Sequence, residues 1–209
     1  MKKILILFVL VLITGCTNKY SEINFNTINN NIMNVISSSQ AYANTVGNGF
    51  KYYKPRDFSV LEKSDFNHVL LHEGTKYYLN IDINAYHSKY KTEYIVNPNI
   101  YYSDTFEFNN NKGYIDIREG NNSYFYLKMM YNYSYVEVSV PKYRLNDAIV
   151  DSIIILSSIK YNDKVINTII SNNGVDSKEN PFEIKKPKDY TTERKNILDV
   201  YEKDIYNEQ

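Results

Sequence analysis

A change of hydrophobic period near Pro141 is what most constrains the fold of this chain. Over residues 50–140 apolar and polar side chains alternate; beyond Pro141 apolar residues recur every three or four positions. The most regular stretch is KYYLNIDINAY, residues 76–86. Tyr77, Leu79, Ile81, Ile83 and Ala85 fall on one side of it, and Tyr78, Asn80, Asp82, Asn84 and Tyr86 on the other. Successive strand side chains point to opposite faces, so this alternation predicts a strand with one buried face. The preceding FNHVLLHEG enters it through Glu73-Gly74-Thr75, a hairpin turn. Further strands are predicted at 100–108, 113–118, 124–133 and 135–140. Phe125, Leu127, Met129 and Tyr131 share one face, as do Val136, Val138 and Val140. The separators are rich in Asn and Gly, which accept left-handed backbone angles; short turns between consecutive strands predict an antiparallel sheet.

After Pro141, the residues Leu145, Ala148, Ile149, Ile153, Ile155, Leu156 and Ile159 cover one arc at helical spacing, with Asp147, Asp151 and Ser158 opposite. A helix with that face is expected to cover the sheet. Ahead of the strands, Ile28, Ile32, Val35 and Ile36, then Tyr42 and Ala43, predict another helix, stopped by Gly47 and Asn48-Gly49. Val165 to Ile170 form a second short apolar segment. Residues 175–189 are polar, contain Pro181 and Pro187, and read as a linker. The final TTERKNILDVYEKDIY offers a modest helix with Ile197, Leu198, Tyr201 and Ile205 on one side. The expected fold class is α+β: an antiparallel β-sheet of about five to seven strands flanked by helices, with an N-terminal signal helix and a C-terminal helical extension.

The amino terminus bears on location. Lys2 and Lys3 precede an apolar run at residues 4–13. About ten apolar residues are too few to span a bilayer, which needs about twenty, so the run reads as the core of a signal peptide. Its ending, Ile13-Thr14-Gly15-Cys16, resembles the bacterial lipoprotein motif, the lipobox. That resemblance implies a diacylglycerol on the Cys16 thiol, cleavage before Cys16, and a new amino terminus that is often acylated as well. The expected division is a signal peptide at 1–15, a tether at 16–26, an α+β domain at 27–172, a linker at 173–189 and a C-terminal helix at 190–209. The expected location is the extracytoplasmic face of the cell membrane, held through the N-terminal lipid. Two acyl signals anchor stably where a single chain does not.

Composition excludes several chemistries. Cys16 is the only cysteine, so a lipidated chain has no thiol left for disulfides, thiol catalysis or zinc–thiolate sites. Lys+Arg and Asp+Glu number 24 each. With no basic stripe or polybasic patch, nucleic acid is not expected as a partner, and the lipid itself must hold the protein at the membrane. His68, His72, Glu73 and His87 form the one candidate metal cluster, but HVLLHE lacks the order of the zincin motif. There is no G-x-S-x-G elbow, Ser37-Ser38-Ser39 has no evident base, and no glycine-rich phosphate loop occurs. No metal or cofactor is expected.

Two groups of residues remain. Asp82, Asp116 and Glu137 fall on outward strand faces, where paired carboxylates could serve a glycosidase. Tyr78, Tyr86, Tyr124, Tyr126 and Tyr135 fall on the polar strand faces. A tyrosine combines an apolar ring with a polar tip, which suits a wet binding surface for glycans or proteins. The same tyrosines would also be explained by helices covering both faces of the sheet, or by a genome that supplies Tyr in place of Phe and Leu.

Residues 49–161 resemble the PsbP-like α/β/α sandwich. GFKYYKPRDFSV is similar to its opening strand, an aromatic run reaching a proline, and IVDSIIILSSIKY to its closing helix. Through GFKYYKP, YYLNIDI and ILSSIKYND the chain also resembles lipoproteins of gut-dwelling low-GC Gram-positive bacteria. The abundance of Asn, Ile, Lys and Tyr, with 22 Tyr and no Trp, agrees with an AT-rich genome. The PsbP-like resemblance implies binding of partners or small ligands rather than catalysis. The expected function is a non-catalytic, lipid-anchored surface domain that binds an envelope protein or a cell-wall glycan. The alternatives are an envelope hydrolase using the outward carboxylates and a transporter-associated solute-binding component.

Overall fold

The computed structural model describes residues 25–38, 42–90, 93–172 and 186–187. The signal peptide, Cys16, most of the tether and the expected helix at 190–209 lie outside the described residues.

Seven strands form one antiparallel sheet: β3 (Ser59–Lys63), β4 (Asn67–His72), β5 (Thr75–Ile81), β6 (Tyr102–Phe108), β7 (Asn111–Glu119), β8 (Tyr124–Tyr131) and β9 (Ser134–Pro141). Their spatial order is β3-β4-β5-β9-β8-β7-β6. Two-residue turns set much of the register. Asn109-Asn110 and Asn132-Tyr133 carry positive φ at both positions, between 49° and 64°. That geometry matches the right-handed twist of the strands they join. Asparagine accepts it readily; Tyr133, at φ 62°, does so against its own preference.

One face of the sheet carries the core. Tyr77, Leu79, Leu127, Met129, Val136, Val138, Ile115 and Ile117 are all buried there. Two helices cover this face: α1 (Phe25–Ser38), through Ile28, Ile32 and Ile36, and α3 (Leu145–Ser157), through Leu145, Ala148, Ile149, Ile153 and Leu156. These elements have the α+β class and strand number that alternation and helical spacing predict. A small antiparallel sheet ties the ends of the domain together: β1 (Thr45–Val46), β2 (Phe50–Tyr52) and β10 (Lys160–Tyr161). It leads into α4 (Asp163–Asn172), the helix formed by the short apolar segment at 165–170.

Several boundaries differ from the sequence pattern. The first helix ends at Ser38, and residues 42–44 are not helical but lead into the strand Thr45–Val46, so Tyr42 and Ala43 do not continue it. Helix α3 ends at Ser157, and Ser158 is not on its solvent side: it is buried, and its hydroxyl accepts from the Tyr53 N–H at 2.8 Å. The largest difference lies in KYYLNIDINAY. The strand stops at Ile81, and Ile83–Ser88 form a short helix, α2. Asp82 causes the switch, because its side chain accepts the Ala85 N–H at 2.8 Å as an N-cap. Alternation continues through Ile83 and Ala85 by chance, and a six-residue helix is too short to reveal its own period.

Candidate functional site

The face opposite the core is only partly covered, by α2, by Tyr94 and, at its rim, by Lys186. Pairing across the strands arranges its side chains in rows. One row runs Asn67–Asn80–Tyr135–Met130–Tyr114–Thr105, through β4, β5, β9, β8, β7 and β6. The next runs Val69–Tyr78–Glu137–Lys128–Asp116–Ser103. Cross-strand neighbours on one face stand close enough to act as a unit.

The first row is the floor of a groove with two compartments. One, of about 270 Å³, is lined by Tyr114, Met130, Tyr135, Lys112, Lys128 and Glu137, with Lys186 at its rim. The other, of about 540 Å³, is lined by Asn67, Asn80, Asp82, Asn84 and Ser88. Ala85, Tyr90 and Tyr135 line both, so α2 and Tyr90 bridge the groove above Tyr135. Between Asn80 and Tyr114 the floor crosses four strands, about 14 Å at the usual strand spacing.

Each wall is held by polar contacts. Both oxygens of Asp82 are engaged: Oδ1 caps α2, and Oδ2 accepts from the Tyr135 hydroxyl at 3.0 Å. Burial and this carboxylate hold the Tyr135 phenol above its usual range, which keeps it a proton donor. Tyr86 anchors α2 from behind. Its ring stacks on Tyr161 at 3.8 Å, Lys89 Nζ lies 3.5 Å over it, and its hydroxyl donates to Asp163 at 2.7 Å. Burial first and the Asp163 contact second push the Tyr86 phenol up to about 12. At the other end Tyr94 stacks on Tyr114 with centroids 4.0 Å apart, and its hydroxyl donates to Asp116.

Of the tyrosines singled out in sequence, only Tyr135 lines the groove. Tyr78 and Tyr126 lie on the same sheet face, half-buried, in neighbouring rows. Tyr124 is exposed at the sheet's end. Tyr86 belongs to a helix and packs against β10 rather than standing on a strand face. The carboxylates differ from expectation too. Asp116 and Glu137 are 5% and 2% exposed. Glu137 accepts from Tyr126 at 2.6 Å and pairs with Lys128 at 3.4 Å. The groove residues that sequence reasoning passed over are Tyr114, Met130, Tyr90, Tyr133, Lys112 and Lys128. The one local signal for them was the positive φ that Tyr133 adopts beside the groove, and that is visible only in the fold.

The histidines do not converge. His68 is 1% exposed on the core face, with Tyr52 Oη 2.9 Å from its Nδ1, and burial lowers its pKa to about 4. His72 stacks on Phe58, and its Nδ1 lies 3.3 Å from Asp151 Oδ2, near enough for a charge contact but off the hydrogen-bond line. His87 is exposed on α2. Among the described residues no group of three or more His, Cys, Asp or Glu side chains could hold a metal ion, and no helix is long and apolar enough to cross a membrane. No family model and no curated protein matches the chain.

Proposed function

We propose that this protein is a lipid-anchored, extracytoplasmic binding domain whose ligand is a cell-wall glycan, held in the groove on the outer face of the sheet. The observation that carries the reading is the composition of the groove. Tyr90, Tyr133 and Tyr135 offer rings and hydroxyls, and Asn67, Asn80, Asn84, Asn110, Asn111 and Asn132 offer amides. Sugars present apolar C–H faces ringed by hydroxyls, and a concave site mixing aromatic rings with spaced polar groups answers both. The anchor is inferred from the resemblance of the segment ending at Cys16 to the lipobox. Binding is favoured over hydrolysis because Asp82, Asp116 and Glu137 are each engaged by neighbouring side chains or backbone groups.

The test is co-sedimentation of the full chain, in detergent, with purified insoluble cell-wall glycan. Ala85 lines both compartments, so Ala85→Tyr places a ring in the groove without altering its floor. The native chain is expected in the pellet and Ala85→Tyr in the supernatant, while Tyr124→Ser, outside the groove, pellets like native. Equal pelleting of the Ala85→Tyr and native chains, both folded by circular dichroism, would overturn the reading.

A further inference from the structure

The two ends of the groove are chemically different. At one end stand Lys112, Lys128 and Lys186 with a single carboxylate, Glu137, a local excess of two positive charges in a chain whose formal net charge is zero. Among the described residues neither Lys112 nor Lys186 has an ion-pair partner. Glu137 is already matched by Lys128 and Tyr126, so the charge excess falls to the lysines at the rim. At the other end stands Asn80, 3% exposed. Among the described residues its Nδ2 makes only a long 3.4 Å contact to the Tyr78 carbonyl, and its Oδ1 has no partner. A buried amide oxygen left unpaired costs stability, so its presence in a groove wall points to a ligand that supplies a donor. Asp82 lines the same end and repels an anion from it.

Taking the groove as the glycan site, we infer that its ligand is an acidic, N-acetylated glycan of at least two sugars. An acetamido N–H donates to Asn80 Oδ1, and a carboxylate of the same ligand lies among Lys112, Lys128 and Lys186. From Asn80 to Tyr114, on the strand that carries Lys112, the floor runs about 14 Å, more than one pyranose ring, which sets the minimum length. The ring of Tyr135 and the side chain of Met130 lie between the ends as the apolar floor.

Three disaccharides of similar shape separate the contributions: N-acetylglucosaminyl-N-acetylmuramic acid, which carries both groups; diacetylchitobiose, which lacks the carboxylate; and cellobiose, which lacks both. Each is titrated calorimetrically into the full native chain in detergent. The acidic disaccharide is expected to bind about tenfold tighter than diacetylchitobiose at low salt, since an exposed ion pair contributes up to about fivefold and two lysines are in reach. The gap should close as salt is raised. Lys112→Gln should narrow the gap by up to about fivefold, and an unchanged gap in the folded variant would overturn the place given to Lys112. Diacetylchitobiose should bind several-fold tighter than cellobiose. Equal affinity within either pair overturns the inference. If all three bind alike and Ala85→Tyr loses all three, the glycan groove stands and its acidic, acetylated specificity falls. If none binds, both fall.

Discussion

His68 gives the fold a measurable acid sensitivity. It sits on the core side of β4, in contact with the rings of Phe50 and Tyr52, at centroid distances of 5.3 and 5.5 Å. Burial, followed by the nearby charge of Lys63, lowers its pKa to about 4. The unfolded chain takes up a proton at about 6.5. Between those values the unfolded state binds more protons than the folded one, so stability declines as pH falls from about 6.5 to about 4 and levels off below. The full span is worth about 3 kcal/mol, and most of it is lost by pH 4.5. Carboxylates titrate in the same region, so a difference isolates the histidine. His68→Gln keeps an acceptor for the Tyr52 hydroxyl but carries no titratable group. Urea unfolding of both proteins at about pH 7.5 and about pH 4.5 should show the native chain losing about 2–3 kcal/mol more than the variant. Equal losses would refute the claim that His68 is held neutral in the core.

Other perturbations follow from single contacts. Gly113 faces Phe106 across the strand pair, and a Cβ there would meet the Phe106 ring and come within 2.7 Å of the Met130 carbonyl oxygen. Because a backbone atom must shift, Gly113→Ala should cost about 1–3 kcal/mol and lower the melting temperature by several degrees in a calorimetric scan. An unchanged melting temperature would mean the strands can separate without cost. Asp82→Ala removes the α2 cap and the Tyr135 acceptor together, at about 1 kcal/mol for the cap alone, and should raise hydrogen exchange at Ala85. Unchanged exchange there would show that the Tyr86 anchor alone holds the helix. Cys16→Ser should release the protein from membranes or leave it unprocessed, read by fractionation and mass; unchanged behaviour would refute the lipid anchor.

The sheet was legible because Phe125, Leu127, Met129, Val136, Val138 and Val140 mark one face by position alone. Helix α3 was legible for the equivalent reason, since a wide apolar arc admits few other readings. Helix α2 was not, because the Asp82 cap outweighs an alternation that runs unbroken through Ile83 and Ala85. The groove was the hardest feature to foresee. Tyr135 could be placed on the polar face of its strand, but its neighbours Asn80, Met130 and Tyr114 come from three other strands. Only the pairing register sets them in one row. Nor could sequence show that Tyr94 lies over the outer face, where it covers Asp116 and closes one end of the row. Residues 173–189 read as a linker, yet within that span Lys186 lines the groove and Pro187 is buried.

The most direct test of the account is a map of backbone amide shifts in the isotope-labelled full chain, in detergent micelles, on adding soluble cell-wall glycan fragments. Perturbations concentrated on Asn80, Ala85, Met130, Tyr135 and Tyr114 are the predicted result. Perturbations confined to other surfaces, or none at saturating fragment, would contradict it.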